Sequence, residues 1–513
     1  MSNSATANLS NNILELRNIN KWFGNVHANQ SVSIQIQEST IHGIIGENGA
    51  GKSTLMSIVY GYYQADNGEI FINGKEASIN SPVQALNHGI GMVHQHFMLV
   101  ETFTVLENII LGAESGTILN RSLQNARSEL KKLEENYSLD VDPDAIVSDL
   151  PVGIRQRVEI LKALYRGANI FILDEPTGVL TPQEVDHLFK ILRSLKEQGK
   201  TIILITHKLR EIMDLTDNVT VMRQGKVVNN KPTKNTNKEE LAELMVGRSV
   251  LLRVDKKNKV KGNQILSVKN LSISDDKNLK KINNISFNIH QGEIVGIAGV
   301  AGNGQTELLE ALTGIRKIND GSVKFLDNTF DASNPIDAKR IRKDGLAHVP
   351  EDRQRMGLVT SFSSYESGIL GYQDLKLYNK NIFLNKTAIL KDMFNKFSKF
   401  DVRPSDPKLK TSSFSGGNQQ KIVLVREMDQ EPELLIVGQP TRGVDIGAIE
   451  FIHKQLVQLR DRGKAILLVS VELDEILSLS DKILVMFDGE IVGEMSQNEA
   501  NEKTLGLLMA GVK

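Results

Sequence analysis

The chain of 513 residues carries one long pattern twice. Three segments of the first half recur in the same order in the second: 13–37 with 265–291, 42–61 with 295–314, and 155–177 with 419–441. A repeat of about 250 residues is too long for a solenoid unit and has the size of a domain. We therefore expect two copies of one domain, 13–250 and 265–513, with a disordered N-terminus (1–12) and a linker (251–264).

The expected linker contains the basic, polar run RVDKKNKVKGNQ, residues 253–264. A nucleic-acid patch is the alternative interpretation, but the formal net charge of the chain is −1, which favours a solvated linker. The chain has no cysteine, which excludes disulfides and cysteine-ligated zinc. The polar start does not resemble a signal peptide, and no apolar run reaches the roughly 18–20 residues that span a bilayer. We expect a cytoplasmic protein whose membrane role, if any, is peripheral.

Strand-like apolar runs alternate with helix-length amphipathic segments in each copy. In 182–199, for example, Leu188, Ile191, Leu192 and Leu195 recur at helical spacing. Such alternation indicates an α/β domain with a largely parallel central sheet.

A glycine-rich loop, 46–54, follows the strand-like run IHGII and precedes the apolar segment LMSIVYG. This order is the strand–loop–helix context of a phosphate-binding loop, in which backbone N–H groups converge on phosphate oxygens. A chance glycine-rich loop is a poor alternative in this context. The predicted nucleotide-binding residues are Gly46, Asn48, Gly49, Gly51, Lys52, Ser53 and Thr54. The Lys52 ammonium can reach the outer phosphates, and the Ser53 hydroxyl can ligate Mg²⁺.

Two adjacent carboxylates close the apolar strand IFIL. Asp174 is expected at the carboxyl edge of the sheet, where it would serve Mg²⁺, and Glu175 would accept a proton from the attacking water. Alone, the pair could be a surface turn before Pro176, but the phosphate-binding loop favours the catalytic interpretation. The second copy has Gly438 and Gln439 at these two positions.

These motifs resemble those of the ATP-binding cassette (ABC) ATPases along nearly the whole of both copies. Gln95 in GMVHQHF occupies the place of the family's Q-loop glutamine, which serves Mg²⁺, and His207 in LITHKL that of its switch histidine. Phe23 matches the aromatic residue that stacks on adenine, and Trp22 is the weaker alternative. The resemblance implies ATP and Mg²⁺ as ligands, with Ser53, Gln95 and Asp174 serving the metal.

The segment FSGGNQQ, 414–420, is close to the family signature, in which the serine and glycines contact the terminal phosphate; here they are Ser415, Gly416 and Gly417. The resemblance also implies two tandem α/β domains, each with a helical subdomain, packed head to tail. Each ATP would then lie between the phosphate-binding loop of one copy and the signature of the other.

When the motif residues of both copies are grouped by the composite site to which they would belong, one site keeps all of the family's residues. The whole site would contain Lys52, Ser53, Gln95, Asp174, Glu175 and His207, faced by Ser415, Gly416, Gly417 and the D-loop residue Asp445. The other site would contain Gln305, Glu351, Gly438, Gln439 and Val471, faced by Pro151, Val152 and Thr181. We expect ATP hydrolysis at the first site alone, and nucleotide binding at the second stays an open question.

The segments VPEDR, SFSGGNQQK and PTRGVDIGA resemble the second half of the ATP-binding subunits of bacterial sugar and nucleoside importers. The segments VGIRQRVEILKALYRGA and DEPTGVLTPQE most resemble the nucleoside branch. This resemblance implies two integral-membrane permease partners, an extracytoplasmic substrate-binding protein, and a place at the cytoplasmic face of the membrane. The alternatives are a monosaccharide importer, a soluble ATPase acting on ribosomes or nucleic acid, and a regulatory module without hydrolysis.

Overall fold

The computed structural model describes residues 12–94, 97–113, 119–137, 139–178, 180, 182–249, 256, 261–275, 277–300, 302–380 and 383–512. The chain divides into two compact units, residues 1–250 and 251–513.

The first unit contains ten strands and eight helices among its described residues. The strands are β1 (Asn12–Phe23), β2 (Val26–Gln37), β3 (Ile41–Ile45), β4 (Asn67–Ile72), β5 (Lys75–Glu76), β6 (Ile90–Val93), β7 (Ile170–Asp174), β8 (Thr201–Thr206), β9 (Asn218–Arg223) and β10 (Lys226–Pro232). The helices are α1 (Lys52–Val59), α2 (Pro82–Asn87), α3 (Val105–Ile110), α4 (Leu119–Tyr137), α5 (Val152–Tyr165), α6 (Pro182–Glu197), α7 (Leu209–Leu215) and α8 (Lys238–Val246).

A six-stranded sheet in the order β10-β9-β3-β8-β7-β6 forms the centre of the first unit. All its pairings are parallel except that of β9 with β10, so the expected largely parallel sheet is confirmed. Successive side chains of β7 enter different cores: Ile172 belongs to one, Phe171 and Leu173 to the other. Burial on both faces explains why the sequences of these strands are continuous runs of apolar residues. A second, antiparallel sheet has the order β2-β1-β4-β5.

The second unit contains twelve strands and eight helices among its described residues. The strands are β11 (Gln264–Ser274), β12 (Lys280–His290), β13 (Ile294–Ala298), β14 (Asp320–Phe325), β15 (Asn328–Phe330), β16 (Leu346–Val349), β17 (Asn379–Lys380), β18 (Phe383–Leu384), β19 (Leu434–Gly438), β20 (Ala465–Ser470), β21 (Lys482–Phe487) and β22 (Glu490–Ser496). The helices are α9 (Gln305–Leu312), α10 (Ala338–Lys343), α11 (Ser364–Ser367), α12 (Lys386–Lys399), α13 (Gly416–Met428), α14 (Ile446–Asp461), α15 (Leu473–Leu479) and α16 (Glu502–Met509).

The second unit repeats the topology of the first. Its central sheet has the order β16-β19-β20-β13-β21-β22, which is the first unit's order read from the other edge. Its antiparallel sheet is β12-β11-β14-β15. The small β17–β18 hairpin has no counterpart among the described elements of the first unit. The sequence repeat therefore corresponds to a repeated fold.

Two details differ from the expected boundaries. The first strand already begins at Asn12, while the rest of the predicted disordered N-terminus lies outside the described residues. Gln264, predicted to end the linker, begins β11. Lys256, expected to be solvated, instead donates hydrogen bonds from its ammonium to the carbonyl oxygens of Leu479 and Ser480, at 3.0 and 2.7 Å. These carbonyl groups are available because they lie at the end of α15, where the helix provides no partner for them. The linker is thus anchored to the second unit at this residue.

Candidate functional site

The first glycine-rich loop connects β3 to α1 and lies tightly against neighbouring strands. A Cβ atom on Gly46 would lie 2.4 Å from the carbonyl oxygen of Met222 in β9, and one on Gly51, with its φ of +94°, would lie 2.4 Å from that of Ala28 in β2. Only glycine fits at both places. Asn48 and Gly49, at the tip of the loop, are exposed. The local spacing read from the sequence therefore corresponds to a real constraint on the backbone before Lys52.

Lys52 begins α1 and its ammonium lies inside the loop. The residue is 5% exposed, and Nζ donates to the carbonyl oxygens of Gly46 at 2.8 Å and Glu47 at 3.1 Å. Burial lowers the pKa of Lys52, while the negative charges of Glu175, Asp174 and Glu47 act in the opposite direction. The third N–H of the ammonium has no partner among the described residues, so the loop can offer it to a phosphate.

Ser53 and Asp174 bring a hydroxyl and a carboxylate together at the edge of the sheet. Asp174 ends β7 and is 9% exposed, and Ser53 Oγ donates to its Oδ1 at 3.4 Å. Burial raises the pKa of Asp174, and the charge of Glu175 acts in the same direction, while the Ser53 hydrogen bond and the Lys52 charge oppose them. Carboxylate and hydroxyl oxygens suit Mg²⁺ that is also held by substrate phosphates, so the donors present fit that ion. Thr54 follows on the same first turn of α1.

Glu175 and His207 form the second pair. Glu175 has a φ of +48°, unusual for a side-chain-bearing residue, and its N–H donates to Ile205 O at 2.9 Å. His207 follows β8, and its Nδ1 lies 2.9 Å from Glu175 Oε1. Burial would raise the pKa of Glu175, but the hydrogen bond and charge of His207, with the charges of Lys52 and Lys208, lower it overall. An ionised carboxylate beside a histidine can act as a general base.

Glu211 is a residue of this region that the sequence did not single out. It is 3% exposed on α7, and the Thr177 hydroxyl donates to its Oε1. Burial raises the pKa of Glu211. This contact ties the turn that carries Asp174 and Glu175 to the helix after His207. In the sequence, Glu211 is recognisable only as an acidic residue in the first turn of α7, and acidic residues are common at helix N-termini.

Four further residues named from the sequence lie apart from this cluster or outside the described residues. Gln95 and Thr181 lie outside the described residues. Phe23 is 42% exposed at the end of β1, and its ring packs edge-on against Tyr63 at 5.2 Å. Trp22 stacks on His27 at 4.0 Å, so one of its faces is already covered.

The second glycine-rich loop keeps its backbone but not its charges. Gln305 replaces the lysine, and its Nε2 donates to Val300 O at 2.9 Å. Thr306 donates its hydroxyl to a carboxylate, as Ser53 does, but the acid is Glu351 from the segment after β16. Burial raises the pKa of Glu351. A Cβ on Gly438 would lie 2.6 Å from Glu351 Cγ, so an aspartate at 438 would require the Glu351 side chain to move.

Gln439 occupies the backbone conformation of Glu175 without its chemistry. Its φ is +47°, and its N–H donates to Val469 O at 2.8 Å, as that of Glu175 does to Ile205 O. Its amide oxygen accepts the N–H of Val471, the residue at the histidine position, at 3.3 Å. The second copy thus retains the turn after the strand and lacks both the base and its histidine.

The signature of the second copy begins α13. Ser415 is the N-cap and is exposed, with its Oγ accepting from Asn418 Nδ2 at 2.9 Å. Asp445 caps α14, where Oδ1 accepts from Ala448 N at 2.7 Å. A Cβ on Gly417 would lie 3.2 Å from Asp445 Oδ2, so the structure places the predicted D-loop aspartate beside the signature. At the equivalent place in the first copy, Pro151 precedes α5 and offers no side-chain cap.

The sequence profile of the ABC transporter family matches residues 29–178 and 282–442, one segment in each unit. The chain belongs to the ABC transporter family. The family resemblance inferred from the motifs is confirmed, and so are the tandem α/β domains and the assignment of the chain as an ATP hydrolase.

Relatives within the ABC transporter family match along almost their entire length. The nucleoside import ATP-binding protein NupA of Lactococcus lactis is 46% identical over 97% of this chain and 98% of its own length. The guanosine import ATP-binding protein NupO of Bacillus subtilis is also 46% identical, over 97% of each chain. The ribose import ATP-binding protein RbsA of Clostridium tetani is 36% identical over 96% of each chain.

A solved structure of an archaeal ribosome recycling factor, aABCE1, in complex with the stalk protein aP1 has the same fold over 93% of this chain, with a TM-score of 0.61. It is only 18% identical, so it supports the fold alone. No helix in the described part of this ABC transporter protein is long and apolar enough to cross a membrane.

Proposed function

We propose that this chain is the ATP-hydrolysing subunit of a membrane importer for nucleosides. The observation that carries the proposal is the 46% identity, over nearly the full length, to two import ATP-binding proteins named for nucleosides and guanosine. The ribose import relative stands ten percentage points lower, at 36%. A monosaccharide importer is the second candidate and shares the same ATP chemistry.

Hydrolysis is assigned to the first glycine-rich loop. Lys52 holds the outer phosphates of ATP. Ser53 and Asp174 would hold Mg²⁺, which would neutralise charge on the phosphate oxygens. Glu175 takes a proton from water as the water oxygen bonds to the terminal phosphorus. The bond to the bridging oxygen then breaks, which releases ADP and inorganic phosphate. His207 orients Glu175 through the 2.9 Å contact. Its role in the family resemblance is to contact the terminal phosphate when ATP is bound.

The partner surface of this site is assigned to the second signature. Ser415, Gly416 and Gly417 present a hydroxyl and helix N-terminal N–H groups, which suit a phosphate. Asp445, beside Gly417, serves the same site. The other pairing, of Gln305 with Pro151, lacks the lysine and the signature hydroxyl, so we assign no hydrolysis to it.

The remaining assignments concern binding and coupling. Phe23 stacks on adenine, Asn48 and Thr54 line the phosphates, and Gln95 serves Mg²⁺ and faces a permease. Two permease subunits would dock at segments 95–112 and 351–370, which carry exposed apolar side chains: Met98, Phe103, Leu111, Met356 and Phe362. An extracytoplasmic binding protein would deliver the nucleoside, and the chain would lie at the cytoplasmic face of the membrane.

Uptake of labelled guanosine, adenosine and ribose tests the substrate class. Cells that lack their own copy of the chain would carry either this sequence or its Glu175→Gln form. We expect nucleoside entry to depend on the chain and to collapse with Glu175→Gln, while ribose entry is unchanged. Loss of ribose entry alone would replace the nucleoside assignment with the sugar importer.

Matched signature variants test the pairing of sites. Ser415→Ala should lower ATP hydrolysis by about tenfold or more, since it removes a hydrogen bond to a charged phosphate. Pro151→Ala, at the equivalent position of the first copy, should leave the rate unchanged. Equal effects of the two substitutions would refute the assignment of hydrolysis to one composite site.

A further inference from the structure

Arg353, in the segment VPEDR, lies against the signature of its own unit. It begins a π-helical turn, Arg353–Gly357, just after Glu351. Its Nη1 donates to Arg442 O at 2.7 Å, and a Cβ on Gly416 would lie 2.5 Å from its Nη2. The guanidinium therefore occupies the space beside the signature glycine, which explains why position 416 has no side chain.

The guanidinium is half-buried and lacks a carboxylate partner among the described residues. Asp352, its neighbour, uses Oδ1 to accept the N–H groups of Gln354 and Arg355, each at 3.0 Å. Arg353 Nε is buried and has no hydrogen-bond partner in the described part of the chain. Burial lowers the pKa of Arg353, although a guanidinium stays protonated at neutral pH.

Other well-buried arginines of the second unit are paired. Arg426 Nε contacts Glu427 at 2.8 Å, and Arg460 Nη2 contacts Asp481 at 2.9 Å. A partly desolvated charge without an acid is costly, and such groups concentrate where a ligand supplies the opposite charge. Arg353 is thus unlike these two arginines, which have structural partners.

Both residues of this contact differ between the two copies of the domain. At the positions of Arg353 and Gly416, the first copy has Phe97 and Val152. The copy that keeps the signature serine has the cation with the glycine that makes room for it. The copy that has proline at the serine position has two apolar residues instead. The cation therefore accompanies the functional signature within one chain.

We infer that Arg353 is a further ATP-recognition residue, which adds a positive charge to the signature face that receives the terminal phosphate. The inference rests on the proposed assignment of Ser415–Gly417 to the hydrolysing site. The Arg353 Nη2 and Nε groups, which have no hydrogen-bond partner in the described part of the chain, lie beside the signature loop that would receive this phosphate. ADP lacks the terminal phosphate, so the charge should distinguish ATP from ADP.

The test uses the transporter purified with its membrane partners and compares Arg353→Gln with Arg353→Lys. Glutamine removes the charge and is too short to reach Arg442 O, whereas lysine keeps the charge and most of the length of the side chain. Arg353→Gln should raise the KM for ATP by about tenfold, the effect of one charged hydrogen bond, and leave the inhibition constant of ADP unchanged. Arg353→Lys should recover most of the loss. Thermal unfolding of both variants checks that the fold survives.

The outcomes separate the possible explanations. A KM for ATP unchanged by Arg353→Gln would overturn the inference. Equal losses for glutamine and lysine, with ATP and ADP weakened alike, would assign Arg353 to packing and also overturn it. If Ser415→Ala had no effect either, while Glu175→Gln stopped hydrolysis, the pairing of sites itself would fail. A raised KM in Ser415→Ala with normal Arg353→Gln would remove only the role of Arg353.

Discussion

Replacing Glu175 by glutamine removes one negative charge while the neighbouring contacts can persist. The amide oxygen can still accept from His207 Nδ1, which lies 2.9 Å from the carboxylate. The backbone keeps its φ of +48°, and the similar side chain fits the same space. What disappears is the group that accepts the proton of the attacking water. A positioned general base contributes about 10²–10⁴ in rate. At about 1.36 kcal/mol per factor of ten, the barrier should rise by about 3–5 kcal/mol.

The assay is steady-state phosphate release at saturating ATP, accompanied by a binding measurement. Trp22 is the only tryptophan of the sequence and precedes Phe23, so its fluorescence should report adenine binding in both proteins. The matched control is Gln439→Ala, because Gln439 has the equivalent backbone position, with a φ of +47°. Its turnover should stay near the parental rate. Turnover by Glu175→Gln near the parental rate would refute the assignment of Glu175 as the base.

Three further predictions concern stability. Burial raises the pKa of Asp174, so ionisation of this carboxyl destabilises the fold as the pH rises through that pKa. In the absence of nucleotide, Asp174→Asn should therefore raise Tm at pH 7.5. The difference should vanish below pH 3.8, its ordinary pKa, where both folded and unfolded chains bind the proton; Tm measured against pH checks this. Glu427 is 0% exposed and paired with Arg426, so Glu427→Gln should cost about 3–5 kcal/mol in urea unfolding, and a normal midpoint would contradict this. Gly438→Asp should destabilise by about 1–3 kcal/mol through its clash with Glu351, and adding Glu351→Ala should recover part of the loss in the same assay.

The phosphate-binding loop could be predicted from the sequence because residues close together in the chain determine its conformation. Gly46, Gly51 and Lys52 are within a few positions of one another, and their backbone requirements are local. The central strands could also be predicted from the sequence, because a strand that is buried on both faces, such as β7, consists of consecutive apolar residues. The two-domain organisation followed from self-similarity alone.

The contacts that distinguish the two copies depended on which distant segments the sheet brings together. Glu175 meets His207 because β7 and β8 are neighbours in the sheet. The loss of the acid at position 438 could be predicted from the sequence, but the proximity of Gly438 to Glu351 depends on how the folded strands pack.

The duplicated fold, the phosphate-binding loop and the loss of the second set of acids can all be inferred from the amino-acid sequence. The contact of Glu351 with Thr306 and the place of the Arg353 guanidinium beside Gly416 are seen only in the folded chain. The difference arises from the separation along the chain over which each interaction acts. Backbone conformation and hydrophobic pattern act between near neighbours, whereas a carboxylate or guanidinium acquires its partners from segments many residues away, once the strands have packed.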